Sequence, residues 1–166
     1  IGLFDPGIFA LGDSLCTGKK RRYPGIPVFA PEFFARVSSI DSLKRKQFVK
    51  GMEELAQEGA IQIFQEYTAG LSEIIVGVVG VLQFDVLKYR LENEYGCEIR
   101  LEPIPYNYIR WVKDPSTDLT KLKRVNDVKK VKDMKGNPLL LFSSEWVINQ
   151  VLEHNEGLEL LEFRKN

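Results

Sequence analysis

The chain has 166 residues, 44% of them hydrophobic, enough to bury one sizeable core or two small ones. Lys plus Arg and Asp plus Glu number 23 each, so the formal net charge is zero, and bulk charge attracts no nucleic acid or membrane surface. Cys16 and Cys97 are the only cysteines, which excludes a disulfide scaffold and a zinc site built on cysteine alone.

In chain order, residues 1–17 hold short apolar pieces broken by turns at Asp5-Pro6-Gly7 and Leu11-Gly12-Asp13. Ile8, Phe9 and Leu11 suit one short strand, and Leu15 with Cys16 another. The run GKKRR follows at 18–22, either a solvated loop or a set of cations that reaches phosphate. Residues 33–37 alternate as a strand after Pro31. Asp41 or Ser42 caps a helix whose apolar face carries Phe48, Met52, Leu55 and Ala56. Its start and outer surface carry Lys44, Arg45, Lys46 and Lys50, where cations oppose the helix dipole, and Gly59 ends it.

A second strand over 60–64 places Ile61 and Ile63 against Gln62. The least polar stretch, IIVGVVGVLQFD at 74–85, begins β-branched and so reads as a buried strand, antiparallel to the second. At Phe84, Leu87 and Leu91 the spacing turns helical, so the chain leaves Gly80 as a helix over about 82–95. Gly80 is the expected tight turn, where a Cβ would be resisted. Gly96 stops the helix, and residues 98–103 alternate as a fourth strand. The order β-α-β-β-α-β predicts a ferredoxin-like unit: a four-stranded antiparallel sheet with both helices on one face.

Tyr106, Tyr108 and Trp111 interleave with Arg110; they stack bases or pin structure, and the structural role is favoured. Asp114-Pro115-Ser116 marks a boundary. The lysine-rich stretch 119–135 reads as helical in its first half. After a turn at Gly136-Asn137-Pro138 come an apolar strand at 139–142 and a helix capped by Ser143 or Ser144. Asn155-Glu156-Gly157 stops that helix, and Leu158, Leu160, Leu161 and Phe163 suit a last strand. The expected organisation is the end of a β-barrel with linker at 1–27, the ferredoxin-like unit at 28–113 and a small α+β extension at 114–166.

Catalytic chemistry is missing from the pattern. There is no GxxxxGK[ST] loop to cradle a triphosphate, His154 is the only histidine, and Glu53, Glu54 and Glu58 form no acid–base pair by spacing alone. The expectation is no catalytic, cofactor or metal residue, and no enzyme, within this chain. The segments YPGIPVFAPEFFARV, LKRKQFVKGMEELAQEGAIQIF and IIVGVVGVLQFDVLKYRLENEYG, above all GVVGVLQFDVLKYRL, resemble the C-terminal half of the bacterial release factor three family of translational GTPases. FDPGIFALGDSL resembles the closing strands of that family's barrel domain, and the start at Ile1 rather than Met fits a piece of a longer protein.

The resemblance implies a ribosome-engaging region of a GTP-dependent termination factor that drives class I release factors off the ribosome. GTP and Mg are expected in an N-terminal domain outside this chain. Partners are expected to be a small-subunit protein and ribosomal RNA, with class I factors indirectly, no membrane and no DNA, in the cytoplasm. Candidate ribosome or RNA contacts are Lys19, Lys20, Arg21, Arg22, Lys44, Arg45, Lys46, Lys50 and Arg110. Two alternatives stay open: the same region of another translational GTPase, of the elongation factor G or ribosome-protection type, or a non-catalytic protein- or RNA-interaction module.

Overall fold

The computed structural model describes Phe4, Ile8 and residues 13–20, 29–68 and 70–162. Strand β1 (Phe33–Ser39) leads through a 3-10 turn to helix α1 (Arg45–Gln57). Strands β2 (Gln62–Glu66) and β3 (Gly70–Val78), helix α2 (Leu82–Glu94) and strand β4 (Ile99–Ile104) follow. Their spatial order is β4-β1-β3-β2 with every pairing antiparallel, which is the expected ferredoxin-like arrangement.

Alternation dictates what each face buries. Val37 of β1, Ile63 of β2 and Ile74, Val76 and Val78 of β3 point to one side. There they meet Phe48, Met52 and Leu55 of α1 and Leu87 and Leu91 of α2. Phe34, Phe64 and Ile75, one position out of phase, point to the other side and are also buried.

That second face is covered by the rest of the chain. Strands β5 (Tyr108–Val112), β6 (Val128–Asp133) and β7 (Pro138–Phe142), helix α3 (Glu145–His154) and strand β8 (Leu160–Leu161) complete the molecule. They extend the same sheet past β2 in the order β6-β7-β5-β8, giving eight strands in all. Ile109, Val131, Leu139 and Leu141 pack on Phe34, Phe64 and Ile75, while Leu140, Phe142 and Val112 face the other way, onto Val147, Ile148 and Val151 of α3. The molecule is α+β: α1 and α2, half of the sheet, a shared core, the other half, then α3.

Three sequence expectations change and a fourth is made specific. The first half of 119–135, expected to be helical, forms only a 3-10 turn at Leu119–Lys121, and the second half forms β6. The structural role favoured for the aromatic stretch near Arg110 takes the form of strand β5, paired with β7 and β8. Leu15 and Cys16 are exposed and in no strand, as two isolated strands would be marginal. Ile8 is likewise outside any strand, whereas Phe9, Leu11 and Phe163 lie outside the described residues.

The third change concerns Gly80, which takes no left-handed φ, and an added Cβ there would meet nothing within 4 Å. The pressed glycine is Gly77, where a Cβ would lie 2.8 Å from both Cβ and Cγ of Pro31. The strand-to-helix joint is held instead by Gln83, whose Oε1 accepts from the backbone N–H of Val79 at 2.9 Å and of Gly80 at 3.2 Å.

Candidate functional site

The cations on α1 and Arg110 belong to different halves of the molecule. Lys19 and Lys20 are exposed, and Arg21 and Arg22 lie outside the described residues. The α1 group is built by a cap one turn early: Asp41 Oδ1 accepts from Leu43 N at 2.9 Å and opens the 3-10 turn Ser42–Lys44. A negative cap ahead of the cations offsets part of the dipole conflict expected there.

Lys44 closes the other end of the helix pair. Its Nζ donates to the carbonyl of Gly96 at 2.5 Å, just past α2, where φ of +60° puts Gly96 in the left-handed region. Carbonyls at a helix C-terminus lack intrahelical partners and attract cations, so Lys44 has a local structural role. Arg45 and Lys46 are exposed on the first turn of α1. Lys50 pairs with Glu54 at 3.7 Å, one turn along.

Arg110 lies in the other half of the sheet. Its side chain is only 18% exposed, its Nη2 is 3.6 Å from Glu162, its Nη1 donates to the Ile109 carbonyl at 2.8 Å, and its guanidinium stands 6.0 Å from the Tyr108 ring centre. Tyr106 and Trp111 pack against the shared core, and Tyr108 against the core under α3. These aromatics serve packing, as favoured from the sequence.

A cleft of about 440 Å³ lies where Pro31, Glu32 and Phe33 meet Asn107, Tyr108 and Arg110. Its described lining residues include no Ser, Thr, Cys, Lys or His. Among the described residues no three His, Cys, Asp or Glu side chains group closely enough to hold a metal. His154 is exposed, with Nδ1 2.8 Å from the Gln150 carbonyl. Among the described residues no helix is long and apolar enough to cross a membrane.

Two further surfaces escaped nomination. On α2 the buried stripe Leu87 and Leu91 has an exposed counterpart, Leu82, Val86 and Tyr89, at helical spacing. Sequence periodicity signals only one stripe, because α2 is apolar on both. The second surface is the bend carrying Lys121, Lys123 and Arg124, all exposed, for which the lysine-rich composition of 119–135 was the available signal.

Comparison with known proteins decides the family. Residues 23–152 match the family described as Class II release factor RF3, C-terminal domain. The chain belongs to this family. It is 46% identical over 158 residues to the peptide chain release factor 3 of Symbiobacterium thermophilum, covering 95% of this chain and 30% of that protein. It is 46% identical over 160 residues to the protein of the same name from Acaryochloris marina, and 44% identical over 160 residues to that from Nostoc punctiforme; each alignment covers 96% of this chain and 30% of the relative. The chain therefore spans about a third of the length of these release factor 3 relatives. It corresponds to their C-terminal part, and the matched span takes in β1 through β7 and most of α3.

Proposed function

We propose that this chain is the ribosome-engaging C-terminal region of a GTP-dependent translation termination factor that promotes the departure of class I release factors from the ribosome. The observation that carries the reading is the match of residues 23–152 to the release factor 3 C-terminal domain. The architecture agrees with it: eight strands in one sheet around a shared core make a stiff body suited to bearing on a large partner.

GTP and Mg bind in a domain of the parent outside this chain, and the chain itself catalyses nothing. Its partners are a small-subunit protein and ribosomal RNA, and it works in the cytoplasm. Calorimetry is the first test: the full-length factor binds GTP and this 166-residue chain does not. The second follows a labelled class I factor on ribosomes after peptide release. Full-length protein speeds its departure in a GTP-dependent manner, and deletion of residues 33–162 abolishes the effect. Nucleotide binding by this chain, or unchanged departure after the deletion, overturns the proposal.

A further inference from the structure

The bend that joins the 3-10 turn at Leu119–Lys121 to β6 is unusually well fixed for an exposed loop. Leu119 is fully buried and Leu122 partly buried in the core under α3, so the bend is anchored from below. Asp118 Oδ1 opens it by accepting from Thr120 N at 3.0 Å and Thr120 Oγ1 at 2.6 Å. Asn155, just past α3, clamps Lys123 on both sides. Its Oδ1 accepts from Lys123 N at 2.7 Å, while its Nδ2 donates to the Lys123 carbonyl at 2.9 Å and to the Val151 carbonyl at 2.7 Å.

The clamped residue is followed by a strained one. Arg124 has φ of +58° and is the one non-glycine residue at positive φ among those described. A bulky residue persists there only when its surroundings over-determine it, and such strain gathers at binding sites. Here the surroundings hold an exposed arginine where glycine or asparagine would be easier.

The described cations divide into those held in ion pairs and those that are not. Lys50, Lys88 and Lys113 pair with Glu54, Glu92 and Glu159. Lys121 lies 3.8 Å from Asp118. Lys123 and Arg124 form no ion pair among the described residues. Two adjacent cations on a backbone that is already ordered lose little freedom on meeting an anion. Arginine's planar fork matches phosphate oxygens in pairs.

We propose that the Lys121–Arg124 bend is a phosphate-backbone contact for RNA, with Lys123 and Arg124 as its principal groups. The choice of RNA over other polyanions rests on the termination-factor reading above; the site itself rests on the clamp, the strained backbone and the unpaired charge. The contact is to backbone phosphates and carries no base readout.

The test is fluorescence anisotropy of the 166-residue chain with a labelled RNA hairpin at rising KCl. Lys123→Glu with Arg124→Glu is expected to weaken binding at least ten-fold and to flatten the log K against log salt slope by about two. Arg124→Gly suits the left-handed backbone, so it keeps the fold and still weakens binding about three-fold, flattening the slope by about one. Asn155→Ala, which removes the clamp and no charge, weakens binding at little change in slope.

Three results overturn the proposal: no hairpin binding by the native chain at 50 mM KCl; binding by Arg124→Gly and the double reversal within two-fold of native; or loss on reversal of Arg45 and Lys46 alone. None of these bears on GTP binding or class I factor departure, so the two readings fail separately.

Discussion

Gly77 shows how one missing Cβ sets the path of a strand. It sits in β3 among buried neighbours, and a methyl there would lie 2.8 Å from two atoms of the Pro31 ring and 3.0 Å from Phe34 Cε1. A pyrrolidine ring cannot swing aside as a long flexible side chain can. Gly77→Ala is expected to cost about 1–3 kcal/mol by overpacking, whereas Gly80→Ala should leave stability unchanged or slightly raised, by up to about 1 kcal/mol. Urea unfolding of both variants checks the contrast; equal costs would contradict this assignment of the crowded position. Sequence alone points to Gly80, because the period changes there. Which of two nearby glycines is pressed depends on Pro31, a residue remote in sequence, and periodicity has no access to that contact.

At the scale of elements, α1 and α2 are locked by a close approach and by polar ties. A Cβ at Gly51 would sit 2.7 Å from Leu91 Cδ2 and 2.9 Å from Tyr95 Cγ, so the helices meet where α1 has no side chain. Arg90 joins Glu58 beyond the end of α1 to Glu94 on its own helix, and the hydrogen bond from Arg90 holds the Glu94 carboxyl below its ordinary range. The Tyr95 hydroxyl donates to Glu54, and this bond, aided by burial, pushes the phenol up to about 12. Because the folded value exceeds the unfolded one near 10, the tie's full contribution is present below pH about 10 and is lost as pH rises toward 12. Ultraviolet titration of tyrosinate should show one late-titrating phenol, returned toward the ordinary range by Glu54→Ala.

These two helices, and the four strands they cover, were legible in the sequence because the helices carry apolar residues at helical spacing and the strands alternate or run β-branched. Strand β6 was not. Val128 faces the core under α3 and Val131 the shared core, so the apolar residues fall three apart and imitate a helix. The partly buried lysines between them hide the alternation. Of the candidate site, composition revealed the cations but not their partners: Lys44 on Gly96 and Arg110 beside Glu162 and Tyr108 are outcomes of folding.

For the whole molecule, the shared core decides whether the two halves of the sheet are independent. β2 and β6 pair over only three positions, but Phe64 is 2% exposed and packs between the halves with Phe34, ring centres 6.2 Å apart. Lys129 of β6 and Glu66 of β2 add an ion pair at 2.9 Å across the same seam. Phe64→Ala should cost about 3–5 kcal/mol through lost burial and a residual cavity. Both tryptophans, Trp111 and Trp146, lie in the other half, so their fluorescence should report the lower midpoint together with circular dichroism. A tryptophan transition that ignores the substitution would mean two separate folding units.

The same topology has a consequence during synthesis. Once Ile104 has left the exit tunnel, β1 through β4 and both of their helices are available to assemble. Phe34, Phe64 and Ile75 then lack the cover that β6 and β7 supply, and β2 lacks its β6 partner, until Val131, Leu139 and Leu141 emerge. At about 5–20 residues per second that interval lasts a few seconds. During it the nascent chain shows a greasy face beside an open strand edge, the combination that holdase chaperones capture and that joins neighbouring chains in polysomes when they do not.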